Sequence, residues 1–206
     1  MILFCTPCYG GMVTAPHFKS CLELRAELHR AGVPHDWLIG WNESLVHRGR
    51  MEMTASFLAS GHTHLFWLDA DIDFTPEDVA AVWNLDADIA VGVYAMKKRD
   101  EQWYAAWKGG ALIKDLDQFA GPVEVDFAGT GFMCIKRRVI EAIARHVESY
   151  DGPNGEVPAL FMTPIVDRCL RSEDYYFCEI ARRAGFKIMM EPRVRLGHWG
   201  LYRYGA

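Results

Sequence analysis

The sequence predicts an α/β fold with a mostly parallel central sheet and a smaller antiparallel part. In the first half of the chain, short apolar runs that predict strands alternate with segments of helical periodicity, and four such strands occur. This alternation is typical of parallel strands joined by crossover helices. In the second half, Gly109-Gly110 lies between two apolar segments and indicates a hairpin. The length of 206 residues, 50% of them hydrophobic, is enough for the core of one domain over residues 1–206.

The elements of the first half follow from these patterns. The predicted strands are Met1–Thr6, Asp36–Trp41, Thr63–Leu68 and Ile89–Tyr94, and the predicted helices are about His17–Ala31, Leu45–Ser60 and Thr75–Leu85. Gly32 and Gly61 end the first two helices, and Thr75-Pro76 suits the start of the third. No P-loop and no G-x-G-x-x-G follows the first strand, which argues against the usual NTPase and dinucleotide sites.

The second half is predicted to be less regular. Its predicted strands are Trp103–Trp107, Ala111–Ile113, Val123–Phe127, Phe132–Lys136, Ile188–Met190 and Val194–Leu196, and its predicted helices are Arg138–His146 and Ser172–Ala184. Ala95–Asp100 forms a basic linker before the hairpin. The polar, Gly- and Pro-rich segment Ser149–Pro158 and the irregular segment Phe161–Arg171 together suggest a mobile loop at 149–171, a candidate lid.

Composition narrows the classes of function and location. The net charge is −5, from 22 basic and 27 acidic residues that are mixed along the chain, so no basic block indicates a nucleic-acid or membrane footprint. The apolar run Met1–Cys5 is too short for a signal peptide and lacks a basic head, and no segment approaches the length of a membrane span. We therefore expect a cytoplasmic protein, in the host cytoplasm if the protein is viral.

The six cysteines are scattered, and without a secretion signal we expect reduced thiols. Cys5-Thr6-Pro7-Cys8 has the C-x-x-C form of a redox pair or of half a zinc site. A zinc site needs a second pair, which the sequence lacks, and a thioredoxin-like motif needs its own fold around it. Core or loop cysteines are the preferred interpretation.

Three acids at alternate positions follow the apolar run that ends at Leu68. Ligands of open α/β sheets gather just past the carboxyl ends of strands, and carboxylates bunched there need a compensating cation. Mg²⁺ and Mn²⁺ take such oxygen ligands and bridge to phosphates. The sequence therefore predicts a metal–diphosphate site at Asp69 and Asp71. The alternative is a solvated turn before a helix, which accounts for Asp73, Glu77 and Asp78 but leaves the first two acids unexplained.

Six segments, in order, resemble the motifs of a known enzyme family. They are Thr6-Pro7-Cys8-Tyr9 after the first strand, the basic helix with His47, Arg48 and Arg50, Leu68-Asp69-Ala70-Asp71, Gly129-Thr130-Gly131-Phe132, Glu173-Asp174, and His198. Together they resemble the GT-A glycosyltransferases, and most closely the inverting family 2 group with its small stand-alone viral or phage members. The segment after the first strand departs from that pattern because it lacks the usual Asn after the aromatic residue.

The resemblance implies a fold, a reaction and a metal. It implies a single GT-A domain of Rossmann-like type, with a nucleotide-binding half at 1–94 and an acceptor-side half at 95–206. The implied activity moves a sugar from a UDP- or GDP-linked donor to a hydroxyl of a saccharide or another acceptor, with Mn²⁺ or Mg²⁺ and with inversion.

The resemblance also assigns roles to individual residues. The implied metal ligands are Asp71, Asp69 (directly to the ribose, or to the metal through water) and His198; the implied donor contacts are Thr6, Pro7, Tyr9, Arg48, Arg50 and Asp69; the implied acceptor-side residues are Gly129, Thr130 and Gly131. Apart from the resemblance, Lys97 is a candidate donor contact, for which a solvated loop is the competing interpretation, and Trp199 is a candidate sugar contact, for which a core position is the competing interpretation. Asp174 is the implied general base, preferred over Glu173 by the family pattern.

Each of these roles has a competing interpretation. Acids in a first helical turn stabilise the helix dipole without catalysis, so Asp174 alone does not prove a base. A nucleotidyltransferase uses similar metal chemistry but normally has a Gly-rich, basic loop after the first strand, which is missing. A non-catalytic nucleotide-sugar-binding module would keep Asp71 without needing Asp174. A hydroxylated base in DNA is another acceptor, served by a basic face around Arg137, Arg138 and Arg145, although the acidic balance of the chain disfavours it.

Overall fold

The computed structural model of the chain describes residues 1–41, 43–98 and 102–205. Arg99 and Asp100, at the end of the predicted basic linker, lie outside the described residues.

Five α-helices are formed within this part of the chain. They are α1 (Ala15–Arg30), α2 (Val46–Ala59), α3 (Pro76–Trp83), α4 (Arg137–Ala144) and α5 (Glu173–Arg183). A short 3₁₀ turn, Tyr9–Gly11, follows the first strand. All five correspond to predicted helices. Helix α1 begins earlier than predicted because Thr14 caps it, its hydroxyl accepting a hydrogen bond from the His17 N–H, and because Pro16 suits a first helical turn.

The described residues form seventeen strands, many of them short. They are β1 (Ile2–Pro7), β2 (His35–Gly40), β3 (His64–Leu68), β4 (Ile72–Asp73), β5 (Ile89–Val91), β6 (Ala106–Lys108), β7 (Ala111–Leu112), β8 (Val123–Val125), β9 (Phe127–Ala128), β10 (Phe132–Lys136), β11 (Ser149–Gly152), β12 (Gly155–Pro158), β13 (Ile165–Val166), β14 (Cys169–Leu170), β15 (Ile188–Met190), β16 (Gly197–Trp199) and β17 (Arg203–Tyr204).

The central sheet has seven strands in the order β2-β1-β3-β10-β5-β15-β8. Strands β1, β2, β3, β5 and β15 run in one direction, whereas β10 and β8 run in the other. Smaller antiparallel sheets, including β7-β6-β9 and β17-β16-β4, surround it. The predicted α/β fold with a mainly parallel sheet and a smaller antiparallel part is therefore confirmed.

Strand β10 determines how the two halves of the chain meet. It lies between β3 and β5 and is antiparallel to both, so Phe132 pairs with Leu68 and Lys136 pairs with His64. The start of β10 therefore lies beside the end of β3. The residues just before β10 come next to the acids just after β3.

The central strand β3 is buried on both faces. Leu65 and Trp67 belong to a hydrophobic cluster that includes Phe57 of α2, whereas Phe66 and Leu68 belong to a second cluster. The second cluster includes Leu24, Val79 and Val82 from α1 and α3. Successive side chains of a strand point to opposite faces, so an unbroken apolar run indicates cover on both sides. The alternating clusters agree with that interpretation.

Three segments differ from their predicted secondary structure. The segment predicted to be irregular, 149–171, contains two hairpins, β11–β12 and β13–β14. The first hairpin is favoured by its Gly-Pro-Asn-Gly turn and by Val157, which is buried. The predicted strand Val123–Phe127 is divided at Asp126 into two strands that join different sheets. The predicted strand Val194–Leu196 is wrong, because the strand in this region, β16, begins only at Gly197 and pairs with β4.

None of the helices in the described part of the chain has the length and apolar character needed to cross a membrane.

Candidate active site

The turn after β3 is held in place by helix α1. Thr14 donates hydrogen bonds from its N–H and its hydroxyl to the carbonyl of Ala70, over 2.9 and 3.2 Å. About one turn of the helix later, His17 Nδ1 lies 3.0 Å from the carbonyl oxygen of Ile72, and one turn further on, the Ser20 hydroxyl accepts from the N–H of Phe74. The backbone that carries the predicted metal ligands is therefore fixed by polar contacts at every second residue.

Asp69 is neutralised from inside the protein. The guanidinium of Arg50 donates from Nη2 to both oxygens of Asp69, over 2.8 and 2.9 Å, and the Arg50 side chain is only 3% exposed. Its Cζ lies 5.1 Å from the centre of the Trp67 ring. Arg50 was predicted to contact the donor. In the structure its side chain lies on the interior side of Asp69, so it would reach a donor only from the protein interior.

The Gly-Thr-Gly turn before β10 packs against the same carboxylate. The N–H of Asp69 donates to the carbonyl of Gly131 over 2.9 Å, and the N–H of Gly131 donates to the hydroxyl of Tyr94. A Cβ on Gly131 would lie 2.9 Å from Asp69 Oδ2 and 2.8 Å from the Tyr94 oxygen, and a Cβ on Gly129 would lie 2.4 Å from that oxygen. Thr130 between them is buried. Only glycine allows this approach.

Asp71 has two partners from the second half of the chain. Lys97 Nζ lies 2.5 Å from Asp71 Oδ2, and His198 Nε2 lies 3.6 Å from the same oxygen. Burial alone would raise the pKa of the Asp71 carboxyl, but His198 and Lys97 outweigh burial and lower that pKa to about 2. Asp71 is therefore an anion at neutral pH.

The tautomer of His198 makes it a suitable metal ligand. Nδ1 lies 2.8 Å from the carbonyl oxygen of Ala95, which can only accept, so Nδ1 carries the proton. Nε2 then faces the Asp71 carboxylate. With a proton it donates toward Oδ2 and contributes to the low pKa of Asp71; without one, Nε2 and Oδ2 are two acceptors 3.6 Å apart that a divalent cation between them would satisfy.

This donor set fits a metal ion, but it is small. Among the residues that the structure describes, no group of three or more His, Cys, Asp or Glu side chains is arranged to hold a metal. Asp69 is bound to Arg50, so Asp71 and His198 are the two side chains that would hold an ion, and Lys97 lies on the same Asp71 oxygen. Water and a phosphate oxygen commonly supply the remaining ligands of Mg²⁺ and Mn²⁺.

The predicted acid pair begins helix α5, close to Arg50. Arg50 Nε lies 3.7 Å from an oxygen of Glu173. Asp174 accepts hydrogen bonds from the Ser172 hydroxyl and, over 2.8 Å, from the N–H of Tyr175. Burial and the neighbouring charge of Glu173 raise the pKa of the Asp174 carboxyl, which is the direction a general base requires. Arg50 thus connects the metal-side acid Asp69 to the acid pair.

A cavity of about 710 Å³ opens beside the two aspartates. Its walls are the ends of β1 and β2 and the first turns of α2, and they include Pro7, Tyr9, Trp41, Asp69 and Asp71. Tyr9 is 75% exposed and Trp41 is 65% exposed, so both rings are available to a flat ligand. Trp41 was missed as a site residue; the available signal was an aromatic residue immediately after a strand's carboxyl end. Thr6, in contrast, is buried beneath the cleft.

Other predicted site residues have intramolecular partners. Arg48 pairs with Glu43 through Nε and Nη2, over 2.5 and 2.8 Å. The indole N–H of Trp199 donates to Asp73, which also binds Arg203. The roles predicted for Arg48 with the donor and for Trp199 with the acceptor stay predictions.

The basic face suggested for a DNA acceptor is partly used inside the protein. The guanidinium of Arg137 donates to backbone carbonyls at the end of α2, among them those of Phe57, Ser60 and His62. Arg138 pairs with Asp88. Of the three, Arg145 alone makes no side-chain hydrogen bond or ion pair with the described residues, so the face offers less free charge than its sequence indicates.

Comparison with known proteins places this geometry in a known fold. A197 from STIV is 21% identical, with a TM-score of 0.60 over 97% of this chain and 85% of that chain. GalNAc-T7 with UDP, GalNAc and Mn²⁺ is 11% identical, with a TM-score of 0.54 over 96% of this chain and 43% of that chain. The chain has a GT-A-like fold.

The comparisons do not extend to a family. No family model matches the chain, and no curated protein matches it. This chain spans less than half of GalNAc-T7. The inositol-1-phosphate CTP transferase from T. maritima, at a TM-score of 0.45, is too distant to bear on function. Membership of family 2 stays a prediction from the motifs.

Proposed function

We propose that the chain is a metal-dependent glycosyltransferase that moves a sugar from a UDP- or GDP-linked donor to an acceptor hydroxyl, with inversion. The observation that carries this proposal is the position of Asp71 Oδ2 and His198 Nε2, 3.6 Å apart, at the edge of a cleft large enough for a nucleotide. The GT-A fold supports it independently.

The cleft supplies the contacts that a nucleotide needs. Tyr9 and Trp41 offer exposed aromatic faces for the base, with Pro7 beside them and Thr6 beneath. Asp69 would contact the ribose or a metal-bound water, and Lys97, now on Asp71, would pair with the diphosphate. Arg50 acts by orienting Asp69, and Arg48 would have to leave Glu43 to meet a phosphate.

Asp71 and His198 would hold the metal. An imidazole ligand suits Mn²⁺ better than Mg²⁺, so Mn²⁺ is the preferred ion. When bound, the ion would act as a Lewis acid toward the departing diphosphate. The hydrogen bond from His198 to Ala95 fixes the ring so that Nε2 stays directed at Asp71.

Asp174 would accept the proton of the acceptor hydroxyl. The new bond forms between that oxygen and the anomeric carbon, while the bond from the anomeric carbon to the phosphate oxygen breaks and its electron pair leaves with the diphosphate. The attack is in line and inverts the anomeric configuration. Gly129, Thr130 and Gly131 are buried and would support the acceptor side from within, and the aromatic face of Trp199 would suit a sugar ring.

The test combines binding and turnover. Thermal shifts with UDP and GDP, with and without Mn²⁺, report donor binding, and hydrolysis of UDP- and GDP-sugars reports chemistry. We expect Asp174→Asn to bind nucleotide like wild type and to lose at least 100-fold in turnover, as general-base removal commonly costs about 10² to 10⁴. The matched control is Glu179→Gln on the same helix, whose partner is Arg183.

The other outcomes separate the competing functions. Nucleotide binding without turnover by wild type, with any donor, would support a binding module. Absence of any Mn²⁺-dependent nucleotide binding would remove the proposal. The cytoplasmic location and a DNA acceptor stay predictions that these assays do not address.

A further inference from the structure

Lys97 pairs with the carboxylate oxygen that a metal ion at Asp71 would bind. Its ammonium lies 2.5 Å from Oδ2, the same oxygen that lies 3.6 Å from His198 Nε2. A divalent ion on that oxygen would repel the ammonium and offset its attraction to the carboxylate. A divalent ion held by Asp71 and His198 would therefore compete with the ammonium.

The stem of Lys97 allows the ammonium to move away from Asp71. Lys97 is 35% exposed, and its aliphatic chain lies over Gly200 of the C-terminal hairpin, where a Cβ would come within 3.3 Å of Cδ. A lysine carries its charge on four flexible carbons, so the ammonium can swing without a change in the backbone. The glycine leaves a groove for this stem.

The surroundings indicate where the displaced ammonium would go. The described residues that line the cleft include four acids, Glu43, Glu52, Asp69 and Asp71, and neither lysine nor arginine. Glu43 and Asp69 are paired with Arg48 and Arg50 from outside the lining, which leaves the charges of Glu52 and Asp71. A nucleoside diphosphate would bring more negative charge into this acidic cleft. Lys97, at its rim, is then the side chain able to balance part of that charge once it leaves Asp71.

We propose that Lys97 and a divalent cation compete for Asp71 Oδ2, and that Lys97, when displaced, pairs with the diphosphate of the donor. This rests on the proposed function, because it assumes a nucleotide in the cleft. The consequence is coupling between two ligands: the metal alone binds weakly because it must displace Lys97, whereas metal and nucleotide together bind well because Lys97 gains a new partner.

The test measures the affinity for Mn²⁺ and the affinity for nucleotide, which a substitution of Lys97 should change in opposite directions. Mn²⁺ alone is titrated and followed by EPR, and then UDP and GDP are titrated by calorimetry at saturating Mn²⁺. For Lys97→Met we expect Mn²⁺ alone to bind about two- to fivefold more tightly, the range of an exposed ion pair. We expect UDP or GDP to bind about tenfold more weakly, the range of a charged hydrogen bond. The same folding transition by circular dichroism confirms that the variant is intact.

Lys98→Met is the matched control. It removes the same charge from the next residue, whose ammonium lies 3.6 Å from the centre of the Trp103 ring and not on Asp71. We expect this variant to bind Mn²⁺, and UDP or GDP, with the same affinities as wild type. An equal gain in Mn²⁺ affinity in both variants would show a general charge effect and overturn the proposal.

The remaining outcomes separate this inference from the proposed function. If wild type binds Mn²⁺ and nucleotide but Lys97→Met changes both affinities in one direction, or neither, competition at Asp71 is wrong while the glycosyltransferase stands. If wild type binds neither Mn²⁺ nor nucleotide, the glycosyltransferase falls first and this inference falls with it.

Discussion

Arg50 and Asp69 form a buried ion pair in which one guanidinium nitrogen, Nη2, donates to both carboxylate oxygens. The other two nitrogens of Arg50, Nε and Nη1, have no hydrogen-bond partner among the described residues, and Nε lies 3.7 Å from Glu173. One side chain of α2 therefore links the end of β3 to the start of α5. The geometry of the candidate site depends on this contact.

Removing the side chain of Arg50 should lower the free energy of unfolding. In Arg50→Met, Asp69 keeps its charge without its partner, so we expect the free energy of unfolding in urea to fall by about 3–5 kcal/mol. Arg48→Met, two residues earlier in α2 and in a partly exposed pair with Glu43, should change stability little. The double variant Arg50→Met, Asp69→Leu should recover most of the loss, and a double variant as unstable as the single one would contradict this account.

A methyl group on Gly131 should displace Asp69. The added Cβ of Gly131→Ala would meet the Tyr94 oxygen at 2.8 Å and Asp69 Oδ2 at 2.9 Å, so one of these groups must shift. We expect a loss of about 1–3 kcal/mol in stability, as for overpacked cores, with loss of Mn²⁺-dependent nucleotide binding. Gly121→Ala is the control, since no atom lies within 4 Å of its added Cβ. Unchanged nucleotide affinity in Gly131→Ala would argue against a role for this turn.

Much of the fold was predictable because its signals are local. The apolar run before Asp69, the caps and the glycines that end helices all act within a few residues, and the helices and inner strands appear near their predicted bounds. The insertion of β10 between β3 and β5 was not predictable, because strand order depends on contacts between residues far apart in the chain. Hydrophobic periodicity indicates which face of a strand or helix is buried, but it does not indicate which strand lies beside it in the sheet.

In the candidate site, too, local features were predictable from the sequence and long-range contacts were not. The position of Asp69 and Asp71 at a strand end followed from sequence, whereas their partners Arg50 and Lys97 did not. For Arg50 a signal existed. It lies three, four and seven residues before Met53, Thr54 and Phe57, all buried, so its helix position faces the core. A basic residue on the buried face of a helix indicates a buried acid nearby.

Asp174→Asn should stabilise the protein at neutral pH. Burial and Glu173 raise the pKa of Asp174 in the folded state above its ordinary value of 3.8, so the charged form is disfavoured by folding. The penalty is absent below that ordinary pKa and grows as the pH rises through the folded pKa. We expect the variant to gain about 1 kcal/mol at pH 7, measured by urea unfolding, and to match wild type near pH 3. A variant less stable than wild type at pH 7 would refute this expectation.

Asp71 should show the opposite pH dependence in chelator-treated protein. Its pKa falls from 3.8 to about 2 on folding, because His198 and Lys97 outweigh the effect of burial. Its contribution to stability is present above the unfolded pKa and is lost as the pH falls toward 2. Because the side chain is 35% exposed, solvent screening limits the contribution to about 1 kcal/mol at pH 7. Asp71→Asn should lose that amount in urea unfolding at pH 7, and the difference should shrink between pH 4 and 2. A difference that stays constant over that range would contradict the assignment.

The pairing of β10 with β3 and of β16 with β4 also sets when a working cleft can exist. Phe132 pairs with Leu68, and His198 pairs with Ile72. On the ribosome, both aspartates emerge long before the strands that hold them, and such distant pairings form slowly. A nascent chain released before β16 would therefore expose an acidic turn without its histidine, so incomplete translation products would be inert.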